Sequence, residues 1–151
     1  MYAPRQGFTL IEILLVILIL GIVGVIGFPR MSAAMTSANV RGARTTLINL
    51  FAKARTAATQ TNRITLVKIQ GDNAFVLMRP RLLPGAGNAD TLGPVQRLGD
   101  SYGVTVTATI DSVRFDPRGM GTGFGTGTTF LVARNGRTET ISIDGLGRVT
   151  K

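Results

Sequence analysis

Residues 8–28, "FTLIEILLVILILGIVGVIGF", contain only two strongly polar side chains, Thr9 and Glu12, in 21 positions. As an α-helix rising about 1.5 Å per residue the run would be about 31 Å long, close to the hydrocarbon thickness of a bilayer. It exceeds the usual length of a signal-peptide apolar region, and no small-x-small cleavage site follows it before Pro29 and Arg30. The run therefore reads as an anchor. Glu12 is the anomaly within it, because an acid at the centre of a span costs about 2.5 to 3.5 kcal/mol on insertion scales, less near an end, and usually persists by pairing. No base lies one helical turn away. Phe8 holds that position, and it offers a positive charge only if its own amine is free, which requires a cut between Gly7 and Phe8.

Composition removes most chemistry from the remainder. The chain has 151 residues, one domain's worth plus an anchor, with no cysteine and no histidine. Disulfides, thiolate nucleophiles, histidine bases and most zinc sites are thereby excluded, so no enzymatic role, metal or cofactor is expected. Lys and Arg number 17 against 8 Asp and Glu, a formal charge of +9. Such a field attracts nucleic acid, anionic lipid or an acidic protein alike.

The opening "GFTLIE", followed by a long apolar run and by Pro29, resembles the leader of type IV pilins and type II secretion pseudopilins. The resemblance implies cleavage after Gly7 by a prepilin peptidase, N-methylation of Phe8, and a Glu12 that neutralises the terminal amine of a neighbouring subunit. Paired in this way, two charges that are each costly in a low-dielectric helical core fix one another's register. It also implies a single-pass protein of the bacterial inner membrane with its head outside the cytoplasm. Charge counting gives no clean orientation of its own, since Arg5 precedes the span while Arg30, Arg41 and Arg44 follow it. Gly21, Gly24, Gly27 and Pro29 are expected to weaken and kink the second half of the span.

The fold class expected is α+β: a long N-terminal helix, its first half transmembrane, packed on an antiparallel sheet. The segments are a leader at 1–7, an assembly helix at 8–28, an amphipathic half at 29–62 and a head at 63–151. Val40, Ala43, Leu47, Leu50, Phe51, Ala54 and Ala58 form one stripe at helical spacing, with Arg41, Lys53 and Thr56 outside it. Beyond Arg63 the period changes to two. "ITLVKIQ" and "NAFVLMR" flank "GD", "VTVTATI" alternates, and "TTFLVAR" and "TETISID" flank Asn135 and Gly136. Pro80 to Gly103 reads as a long irregular loop. "GMGTGFGTG" matches neither dinucleotide nor phosphate loops and suggests close approach by another backbone. Asp111, Asp116 and Asp144 read as turn formers.

"RGARTTLINLFAKARTAATQTNRITLV", "VRFDPRGMGTG" and "DGLGRVTK" together resemble the GspH/FimT group of minor pseudopilins and minor pilins. That resemblance implies a non-catalytic filament subunit whose partners are other pilins, the prepilin peptidase and the inner membrane, with a secreted substrate or outer-membrane gate as further partners. The alternative it carries is DNA capture in natural transformation, for which Arg134, Arg137, Arg148 and Lys151 are the candidate contacts. The G-R-x-R pattern associated with that role is incomplete, because Thr150 stands where the second arginine belongs. Stacking partners are scarce too, Phe130 being the only aromatic among the last 25 residues.

Overall fold

A computed structural model of the chain describes residues 7–78, 90–122, 125 and 127–150. The chain divides into two units, one ending at Met35 and the other beginning at Thr36. One helix, α1 (Leu10–Thr61, 52 residues), contributes to both, and Pro29 lies inside it. The helix is continuous through Pro29. A proline removes a single backbone donor, and the turns on either side keep their own bonds.

In the first unit every described residue is exposed, including the apolar run from Leu10 to Phe28. No core forms here. A window of this segment has a mean hydropathy of 3.0 with none of it buried, enough in length and composition to cross a membrane.

The second unit holds the whole core. The helix buries Thr36, Val40, Ala43, Leu47, Leu50, Phe51, Ala54, Ala57 and Ala58, while Arg41, Lys53 and Thr56 stay exposed, as a 3.6-residue period demands. Its end is a Schellman cap. Asn62 takes the left-handed conformation at φ 53, and the Arg63 amide donates back to the Ala58 carbonyl at 3.3 Å.

The strands are β1 (Thr65–Gln70), β2 (Asn73–Met78), β3 (Asp90–Thr91), β4 (Gln96–Arg97), β5 (Thr105–Ala108), β6 (Ser112–Phe115), β7 (Gly121–Thr122), β8 (Gly127–Arg134), β9 (Arg137–Asp144) and β10 (Val149–Thr150), with a short helix α2 (Leu98–Tyr102) between β4 and β5. They form two antiparallel sheets instead of the single sheet expected. One runs β3-β2-β1-β6-β7 with β4 also on β2, and the other runs β10-β9-β8-β5. The division falls between β5 and β6: Ala108 pairs with Phe130 in one sheet, whereas Ser112 pairs with Lys68 in the other. Alternation alone does not say which partner a strand takes.

Both sheets turn their apolar residues to the same core, where Phe51 of α1 meets Phe130 of β8 at 5.2 Å between ring centroids. The Thr65 hydroxyl, fully buried, donates to the Ala54 carbonyl at 2.7 Å and ties β1 to the helix. The β8–β9 hairpin turns through Asn135 at φ 46 and Gly136 at φ 77, the two positive values that a type I′ turn requires.

The expectation of an irregular loop from Pro80 to Gly103 is corrected from Asp90 onward, residues 80–89 lying outside the described part. That stretch contains β3, β4 and α2. Asp72, in the β1–β2 turn, organises it: its carbonyl accepts the Leu98 amide at 2.9 Å and the Gly99 amide at 3.3 Å, and its Oδ1 accepts the Val106 amide at 2.9 Å. Leu98 is buried as a result.

Candidate functional site

Two regions bear on function, the start of α1 and the arginines of the head. At the helix start, Thr9 is the residue before Leu10, and its hydroxyl accepts the Glu12 amide at 3.3 Å while its carbonyl accepts the Glu12 and Ile13 amides at 3.1 and 3.3 Å. Thr9–Leu10–Ile11–Glu12 is the T-x-x-E order of a capping box. Glu12 thus sits in the first turn, where the free amides of the helix end favour a carboxylate. The signal is local, Thr9 and Glu12 standing three residues apart in the sequence. Gly7, Phe8 and Glu12 are all exposed, and Glu12 has no ion pair among the described residues.

The candidate DNA contacts do not form one patch. Arg134 and Arg137 face each other across the β8–β9 turn, whereas Arg148 follows the far end of β9. β9 is eight residues long, so its ends lie about 23 Å apart at the usual rise. Proximity in sequence misled here because a hairpin strand carries the chain the full length of the sheet. Lys151 lies outside the described residues.

Two of these arginines, Arg134 and Arg148, also have a local task. An Arg134 guanidinium nitrogen donates to the Tyr102 carbonyl, beside the left-handed Gly103 that ends α2. Arg148 Nε pairs with Asp144 Oδ2 at 2.9 Å. The other carboxylate oxygen of Asp144 accepts the Leu146 amide at 3.0 Å and the Arg148 amide at 2.7 Å. The Arg148 amide is the leading reason that the Asp144 carboxyl is held below its ordinary range, with the Arg148 side chain and the Leu146 amide adding to it. Asp116 builds a second turn of the same design, accepting the Arg118 and Met120 amides at 2.9 Å each. Asp111 contributes its carbonyl, which accepts the Ile69 amide at 2.8 Å.

Two arginines not singled out from the sequence join the hairpin end. Arg44 of α1 pairs with Glu139 of β9 at 3.4 Å. Arg41, one turn earlier, lines a groove with Ser37, Val40, Arg137, Thr138 and Glu139. Their spacing of three on the helix was the available signal, but nothing in the sequence tells which strand faces that turn. The glycine-rich stretch approaches another backbone at Gly127, where an added Cβ would lie 2.7 Å from the Ile143 carbonyl oxygen.

Comparison with known proteins bears on both regions. The prokaryotic N-terminal methylation motif matches residues 3–28, and the type II transport protein GspH family matches residues 43–147. No curated protein sequence matches the chain. Two crystal structures of the type IV minor pilin FimU of Pseudomonas aeruginosa PAO1 are similar in fold. The form in space group P21 has a TM-score of 0.58 at 17% identity over 76% of this chain and 88% of that one. The P65 form has a TM-score of 0.53 at 19% identity, over 73% and 90%.

Proposed function

The chain belongs to the GspH family of type II transport proteins and carries the prokaryotic N-terminal methylation motif, and on that premise we propose that it is a minor pseudopilin, a non-catalytic subunit of a type II secretion filament. The observation that carries the reading is the fully exposed apolar segment headed by one exposed acid, Glu12. A surface of that kind is stable only in lipid or against other apolar helices.

In this reading prepilin peptidase cuts between Gly7 and Phe8, and the new amine is methylated. The helix then leaves the inner membrane for the filament, where Glu12 meets the amine of an adjacent subunit. The capping geometry supports this sequence of events. A carboxylate in the first turn, where the free amides of the helix end favour negative charge, is tolerable before assembly and still has acceptor positions left for an incoming cation. The head, on the far side of the membrane from the cytoplasm, meets other pseudopilins and, through them or directly, secreted substrate or the outer gate.

The DNA-capture reading has weaker support. Arg148 is engaged by Asp144 and Arg134 by Tyr102, at opposite ends of a strand. Backbone contacts to nucleic acid need several free cations along one track. The deciding experiment is mass spectrometry of the protein recovered from membranes of its own host. A chain beginning at methylated Phe8 is expected, and retention of Met1 would overturn the reading.

A further inference from the structure

The end of the head at which the β8–β9 turn meets the first turns of its helix gathers four arginines around one acid. Arg44 and Glu139 pair with each other, with side-chain exposures of 15% and 35%. The buried Arg44 Nε has no acceptor among the described residues. Arg41 and Arg137, both exposed, flank the same groove and have no ion pair among the described residues. Arg134 adds its charge from directly across the hairpin. Positive charges from two elements far apart in sequence are thus brought together with one carboxylate between them, which is unfavourable in the isolated subunit.

We propose that this groove docks an acidic surface of a neighbouring filament subunit, with a partner carboxylate entering between Arg41 and Arg137; the inference rests on the filament reading above. The groove is suited to a carboxylate. Guanidinium groups offer donors in a fork that matches the two oxygens, and the Ser37 and Thr138 hydroxyls supply further donors beside them. Val40 provides an apolar floor. Nucleic acid fits less well: Glu139 repels phosphates laid in series, and only two exposed arginines flank the groove, too few for a track of phosphates. The contact need not be strong. Helices already packed in a filament raise the effective concentration of facing heads, so a few charge pairs suffice to fix which subunits adjoin.

The test uses the full chain in detergent, titrated with a fluorescent oligoglutamate peptide and, separately, with duplex DNA, at low and physiological salt. Arg41→Ala/Arg137→Ala is expected to weaken peptide binding about tenfold. Arg55→Ala/Arg118→Ala, which removes the same charge from exposed positions elsewhere, should leave it near wild type. Arg41→Lys/Arg137→Lys should retain most of the binding, and matching thermal melts would show that all variants are folded. Equal losses in the two alanine doubles would overturn the site in favour of net charge alone. Tighter binding of DNA than of peptide, lost in the same groove variant, would overturn the carboxylate in favour of a nucleic acid. Absence of the wild-type chain from sheared filament fractions would sink the filament reading, while a groove-specific loss of peptide binding would still uphold the acid-binding site.

Discussion

Arg148 and Asp144 close a turn on themselves: Nε to Oδ2 at 2.9 Å, with the Arg148 amide on Oδ1 at 2.7 Å and the Asp144 amide returned to the Arg148 carbonyl at 3.0 Å. Gly147 and Arg148 therefore serve as a clasp for β10. Its arginine is paired through Nε to a carboxylate of the same turn.

This clasp should titrate. The Asp144 carboxyl is lowered by bonds it accepts only in the folded state, so its contribution is fully present above the unfolded value near 4 and is lost as pH falls through the lower folded value. Asp144→Ala should abolish that acid-limb dependence in melting curves recorded from neutral pH to below pH 4. Arg148→Ala should reduce it less, because both amides still reach the carboxylate.

Gly147 sits in the same turn at φ 76, where an added Cβ would come within 2.8 Å of the Gly121 amide nitrogen and 3.0 Å of Phe115. Gly147→Ala is expected to cost roughly 1 to 3 kcal/mol from strain and contact together. Gly71, at φ 58 with open space around it, isolates the conformational part, so Gly71→Ala should cost less. Urea unfolding of residues 36–151 would rank the two.

The core offers a sharper magnitude. Phe51 is about 1% exposed and stacks at an angle on Phe130. Phe51→Ala should destabilise the head by about 3 to 5 kcal/mol. Thr65→Val, which keeps the shape and removes the bond to Ala54, should cost about 1 kcal/mol. A smaller loss for Phe51→Ala than for Thr65→Val would contradict the packing described.

Glu12 separates two roles by choice of substitution. If it serves only the helix end, Glu12→Gln, still able to accept a bond, should resemble wild type in filament entry. Should it meet the amine of an adjacent subunit, both Glu12→Gln and Glu12→Ala should lower filament entry strongly. Immunodetection in sheared filament fractions distinguishes them.

What could be read from the chain follows from how local each signal is. The stripe from Val40 to Ala58 and the Asn135–Gly136 turn depend on neighbours three or four residues away, and they appear as expected. The order beyond Asp90 was hidden because its anchor, Asp72, lies 26 positions before Leu98 and looks like an ordinary turn residue. The division into two sheets was hidden for a similar reason, since β5 chooses β8 only when the core closes. The basic candidates failed to gather because distance along a strand is not proximity, while Arg41 reached Arg137 through packing that no motif encodes.

Every buried residue of the described chain lies at or after Thr36. The segment before it therefore adds no buried surface to the core of the head, and a protease cutting between the two is expected to release a folded head. A subunit built on this plan can be pulled from lipid and inserted among other helices without refolding anything. Its solvent changes while its folded core does not.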